Sequence, residues 1–141
     1  MITAIVGVAV VVLVLAFVVF VALDNGPPPA DVAFAYEQAW DHFDFWSLWA
    51  LSADELRDGL GRKAFVAAKE AAYANRRGLG HLARFITVEE IGVHGATAVA
   101  HTRVDLHDGD AAHHEVHLAQ RAGRWVVVVY HLRTEAPPAK P

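Results

Sequence analysis

Cysteine is absent, which excludes any disulfide framework, thiol nucleophile or cysteine-ligated metal. Serine occurs only at Ser47 and Ser52, and no Gly-x-Ser-x-Gly elbow, phosphate-binding loop or metalloprotease motif is present. No recognisable constellation for covalent catalysis is therefore present. No fingerprint calls for a cofactor, and none is expected. Lysine is scarce (Lys63, Lys69, Lys140), and no basic residue precedes Arg57. With 12 basic against 16 acidic residues the formal net charge is -4. That balance argues against a nucleic-acid partner and against a polybasic grip on anionic lipid.

One long apolar run is present. From Ile2 to Leu23 no residue is charged, and only Thr3 and Gly7 depart from apolar or alanine chemistry. As a helix, at roughly 1.5 Å per residue, this run reaches about 33 Å, enough for a hydrocarbon core of roughly 30 Å. It is too long for a signal-peptide core, lacks a basic leader, and Phe20-Val21-Ala22 is a poor cleavage site. The expectation is a retained transmembrane helix over residues 2–23, with the lipid bilayer as its partner and a single-pass location in the cell membrane. No Lys or Arg flanks the run to orient it; a short inner N-terminus and an extracytoplasmic soluble domain are expected. Residues 24–30 form a Pro-rich spacer, 31–134 the folded domain, and 135–141 a disordered tail.

Beyond the spacer the apolar period changes once. Val32, Tyr36, Ala39, Phe43 and Trp46 recur at helical spacing, with Asp31 as N-cap. Ser52-Ala53-Asp54-Glu55 reads as a capping box opening a short second helix, and Arg62 to Arg77 makes a third. From Ala83 the period becomes two, predicting strands over 83–93, 96–107, 111–121 and 124–133. Turns are expected at His94-Gly95, Asp108-Gly109-Asp110 and Ala122-Gly123. Three helices followed by a four-stranded antiparallel meander is an α+β layout, with the helices packed on one face of a curved sheet.

The aromatic first helix (AFAYEQAWDHFDFW), the helical second segment and a last strand that begins Gly-x-Trp (GRWVVVVYHLR) resemble the NTF2-like superfamily, the cystatin-like cone fold, over about Ala30 to Arg133. The resemblance implies a conical pocket between helices and sheet and frequent dimerisation through the sheet. Its members include enzymes, ligand binders and scaffolds, so it carries over no catalytic residue.

Nine histidines invite a closer reading. GC-rich codon usage inflates His and Arg without functional cause. Alternation places Ala98, Ala100, Thr102, Val104 and Leu106 on the inner face, and His101, Arg103, Asp105 and His107 on the outer. In the next strand Val116 and Leu118 face inward, so His113, Glu115 and His117 face outward. A three-residue loop, Asp108–Asp110, would set Arg103 opposite Glu115, Asp105 opposite His113 and His101 opposite His117. Most of HDGDAAHHEVH then explains itself as a paired, solvated face. His101 and His117 remain candidate metal ligands, with a third supplied by a partner chain. His114 faces inward and is expected opposite His131, where the pair can line the pocket mouth.

Seven of the fourteen aromatics lie between Phe34 and Trp49, as core, pocket lining or an interfacial belt. The ligand-pocket candidates are Tyr36, Trp40, Phe43, His114 and His131. The last strand is apolar on both faces, so Val126, Val128, Tyr130 and Leu132 are expected to form an outer interface for a second copy or a membrane-protein partner. The leading functional expectation is a membrane-tethered, non-catalytic domain that binds a protein partner or a small apolar ligand at the cell surface. The alternatives are an acid–base pocket enzyme of the isomerase or dehydratase kind using His114, His131, Asp41 and Tyr36 (Asp44 being a further polar neighbour), or a histidine-based metal module.

Overall fold

The computed structural model describes residues 26–133, together with Leu13. The expected span over residues 2–23 (Leu13 apart) and the tail over 135–141 lie outside the described residues. Among the described residues no helix is long and apolar enough to cross a membrane.

Helix α1 spans Pro29–Asp41. Pro28 is its N-cap and Pro29 occupies the first turn, where a missing N–H costs nothing. Asp31 is therefore not the cap but lies inside the first turn, where its charge complements the helix dipole. The helix stops earlier than the apolar spacing predicted. Phe43 adopts a left-handed φ of 51°, and Asp44 N–H donates back to Ala39 O at 2.8 Å. Asp44 then opens α2 (Phe45–Leu51) as its N-cap. Its Oδ1 accepts from Ser47 N–H at 3.1 Å and its Oδ2 accepts from the Ser47 hydroxyl at 2.6 Å. Those bonds hold the Asp44 carboxyl below its usual range. Ser52 ends α2 rather than starting a helix; its hydroxyl donates to Leu48 O at 2.6 Å, and only a 3-10 turn, Asp54–Leu56, follows. Helix α3, Arg62–Tyr73, is shorter than expected, and a second 3-10 turn covers Arg77–Leu79.

The strands match the alternation closely: β1 Ala83–His94, β2 Thr97–Leu106, β3 Ala111–Arg121 and β4 Arg124–Leu132. They form one antiparallel sheet in the order β1-β2-β3-β4. Helix α1 crosses all four strands on one face. Ala33 on the helix and Ala98 and Ala100 on β2 are essentially inaccessible, so small side chains let helix and sheet approach closely. Around them pack Val32, Leu48 and Phe65 from the helices and Val116, Leu118 and Val127 from the sheet. Burying each such large side chain is worth about 1.5–3 kcal/mol. Ala53 N–H donates to Val127 O at 2.7 Å, which ties the end of α2 to β4.

Two hairpins decide which side chains meet across the sheet. The β2–β3 loop has three residues as expected, but they are His107–Gly109. Leu106 N–H donates to Asp110 O at 2.8 Å, Asp108 Oδ1 accepts from Asp110 N–H, and Gly109 takes the left-handed position at φ 97°. The pairing therefore moves by two residues: His101 faces Glu115, Arg103 faces His113 and Asp105 faces Ala111. A shift of two preserves which side chains point inward, so the expected partners are wrong while the expected faces are right. The β3–β4 turn is Ala122-Gly123, with both φ values positive (51° and 75°), the twist that suits a two-residue hairpin. Its register holds from Gln120–Trp125 to Leu118–Val127, and then a bulge beside His117 shifts it.

Candidate functional site

Position 37 on α1 follows Ala33 by one helical turn and so shares the face that meets the sheet. Glu37 is 3% exposed, a carboxyl group taken almost completely out of water. Such burial requires partners, and three converge on it. The Thr102 hydroxyl of β2 donates to Oε1 at 2.5 Å, Tyr130 Oη of β4 donates to Oε2 at 2.8 Å, and His114 Nδ1 of β3 lies 3.0 Å from Oε1. The His114 and Tyr130 rings also touch, with centroids 5.0 Å apart. One helix and three strands thus meet at a single carboxyl group.

This cluster forms the polar floor of a cavity of about 340 Å³ between helices and sheet. Its apolar walls come from Trp40, Phe43, Tyr73, Val104, Leu106 and Ala112, and exposed Leu79 and Leu82 lie at its rim. Gly80 permits that rim: a Cβ there would come within 3.2 Å of the Phe43 ring and 3.3 Å of Asp41 O. Burial, reinforced by the facing Glu37, pushes the Tyr130 phenol far above its ordinary value of about 10. Burial also raises Tyr36, whose ring meets Tyr130 edge-on at 5.0 Å. The Trp40 indole N–H and the Ser52 hydroxyl oppose that rise. The Trp40 N–H approaches the phenol without completing a hydrogen bond, and is itself buried and unpartnered.

Of the residues the sequence singled out, Trp40, Phe43, Asp41 and His114 line this cavity. Tyr36 lines an adjoining one, beyond Trp40 and Tyr130. Asp41 is engaged structurally: its Oδ1 accepts from Ala83 N–H at 2.9 Å and its carbonyl accepts from His81 N–H, which together anchor the start of β1. Asp44 is spent on capping α2. His131 does not join His114. The bulge moves β4 by one residue, so that Leu132 pairs with His114 and Tyr130 with Val116. Tyr130 turns inward and His131 turns out.

The same bulge remakes the expected interface. Tyr130 leaves it for the cavity floor, and Val129 joins the outer face at 43% exposure. Leu132, 63% exposed at the sheet end, likewise leaves the outer face, pairing with the inward His114, while Val126 and Val128 are half-buried. Next to these valines the face is polar, carrying Glu90, His101, Arg103, Glu115, His117 and His131. Pattern alone did not bring Glu37 or Tyr130 to the cavity floor. Glu37 had a signal, its spacing from Ala33 and Asp41. Tyr130 had none, because strand alternation does not announce a bulge.

No protein-family model matches the sequence, and no curated protein matches it. Solved structures do. A Campylobacter jejuni protein named for the NTF2-like transpeptidases superposes at a TM-score of 0.54 with 23% identity, covering 73% of this chain and 99% of its own. NTF-2-like proteins of unknown function from Silicibacter pomeroyi and Shewanella oneidensis each share 21% identity at a TM-score of 0.49. They cover 73% and 72% of this chain, and 91% and 93% of their own lengths. Helices on one face of a four-stranded meander, a cavity between the layers, and the likeness to the Campylobacter structure lead to one conclusion: this chain has the NTF2-like fold.

Proposed function

We propose that this chain is a small-ligand-binding domain of NTF2-like fold, held at a membrane by residues 2–23. The observation that carries the reading is the cavity of about 340 Å³, apolar on its walls and polar at a floor of Glu37, His114 and Tyr130. Specific pockets combine an apolar lining with a few convergent polar groups, in volumes of roughly 300–1,000 Å³. The ligand that suits it has a flat apolar body, which packs against the aromatic wall of Trp40, Phe43 and Tyr73, and one hydrogen-bonding head for His114 or Tyr130. Ligand-observed NMR on the full chain in detergent, with phenol, cyclohexanol and 1-naphthol as probes, tests this. Binding of 1-naphthol, blocked by Ala112→Phe and weakened by His114→Ala, is expected. No binding by any probe, or binding indifferent to Ala112→Phe, refutes it. For the tether, the expected outcome is that the full chain floats with phosphatidylcholine vesicles and a chain lacking residues 2–23 does not.

A second reading rests on one further contact. Glu37 faces His114 through Nδ1, which leaves Nε2 as the nitrogen able to exchange a proton with a bound molecule. Acid–base chemistry at this site would use Glu37, His114 and Tyr130 rather than the His114, His131, Asp41 and Tyr36 set that spacing suggested. Proton exchange on an enolisable cyclic ketone, lost in both His114→Ala and Glu37→Gln, is the supporting result. A rate equal to that of buffer removes the enzyme reading and leaves the binding one.

A further inference from the structure

The face opposite the cavity gathers a second cluster, which strand alternation and the bulge build together. Glu115 and His117 are two apart on β3 and share the outer face. On one side β2 brings His101 directly opposite Glu115. On the other, the bulge brings His131 opposite Glu115, where an unbroken ladder would have turned it inward. One carboxylate is thus surrounded by three imidazoles, all presenting Nε2. His117 Nε2 lies 2.6 Å from Glu115 Oε1, His131 Nε2 lies 3.7 Å from the same oxygen, and His101 Nε2 lies 3.3 Å from Oε2.

We propose that Glu115, His117 and His131 form a zinc-binding site on the outer face of the sheet, with water as the fourth ligand and His101 beside it. Ligand atoms of Glu115, His117 and His131 all lie within 4.8 Å of one another. A tetrahedral zinc with bonds of about 2.0–2.1 Å holds its ligand atoms about 3.3 Å apart, so small side-chain rotations close the shell. Two imidazoles, a carboxylate and a water make a set that zinc accepts. His101 flanks the cluster rather than entering it. Its Nδ1 lies 3.4 Å from Glu90 Oε2 while its Nε2 faces Glu115. A neutral imidazole has one N–H and can satisfy only one of two flanking carboxylates. Protonated on both nitrogens, His101 bridges the two carboxylates and holds Glu115 in place from the β2 side. The His117 and His131 ring centroids are 5.8 Å apart and the rings are inclined by 38°. His131 is half exposed, so the site opens to water and its metal is exchangeable.

The site differs from the one strand spacing suggested, in which His101 faced His117 and a partner chain completed the shell. Here every protein ligand comes from one chain. The test uses the full 141-residue chain without a histidine tag, in detergent and stripped of metal, titrated with zinc chloride in competition with a chromophoric chelator. The expected result is one zinc per chain, a thermal midpoint that rises with zinc and falls back with EDTA, and at least tenfold weaker binding in His117→Ala and His131→Ala. His107→Ala, on the hairpin turn, serves as control and should bind as the parent does. Absence of binding, binding unchanged in both variants, or one zinc per two chains with association overturns the single-chain site. The cavity-filling Ala112→Phe should bind zinc normally, so failure of the ligand pocket and failure of this site are separable.

Discussion

Replacing Tyr130 by Phe removes one oxygen and little else. The ring keeps its place against Tyr36 and His114, whose centroids both lie 5.0 Å away. What is lost is the 2.8 Å hydrogen bond to Glu37 Oε2, leaving a buried acceptor without that donor. An acceptor stranded in this way costs about 1–3 kcal/mol. For a domain of this size, where 1 kcal/mol moves the midpoint by about 4 °C, the melting temperature should fall by about 4–12 °C. Urea unfolding should show the loss as a lower midpoint at unchanged slope, because no surface is newly exposed. The sharper test is the same substitution in a Glu37→Leu background. There the acceptor is already gone and the hydroxyl is itself the orphan, so Tyr130→Phe should be neutral or stabilising. An equal cost in both backgrounds would refute the claim that this hydroxyl acts through Glu37.

Alkaline pH probes the same floor from the other side. Tyr36 and Tyr130 both have folded values raised above about 10, so their contribution is intact below pH 10 and is lost as pH climbs beyond it. Stability should decline by up to about 1.4 kcal/mol per pH unit for each phenol, and Tyr130→Phe should halve the slope. Asp44→Ala strips the N-cap of α2 and should cost about 1 kcal/mol in urea unfolding. Because the folded Asp44 carboxyl lies below its ordinary value of 3.8, that contribution is present above this value and disappears as pH drops through the folded one. Ala122 holds a left-handed φ of 51° ahead of Gly123, and Asn tolerates that conformation better. Ala122→Asn should therefore raise the thermal midpoint, by about 1 kcal/mol in equivalent stability; a lower midpoint contradicts the turn assignment.

Much of the fold can be read from periodicity. The strands at 83–94, 97–106, 111–121 and 124–132 fall within a residue or so of the predicted ones, because a half-buried strand must alternate and the turns between carry glycine. The helical breaks were harder to see. Apolar spacing runs smoothly through Phe43 to Trp46, and only the left-handed Phe43 and the Asp44 cap, both local hydrogen-bonding choices, divide that run into two helices. The odd-length β2–β3 loop was forced by the need to match inner faces, whereas its position within HDGDAAHHEVH was not. A two-residue slide satisfies the same rule and replaces every cross-strand partner.

By itself, the sequence determined which residues could face the core: the small side chains beneath α1, the inward His114, and the outward His101, Glu115 and His117. Pattern fixes a side chain's face because strand geometry has a period of two. Only the tertiary structure decided who meets whom. A single bulge beside His117 turned Tyr130 toward Glu37 and His131 toward Glu115. One extra residue in a ladder exchanges the two faces of everything beyond it, and nothing in the local sequence of β4, a run of valines equally at ease on either side, says where that residue goes.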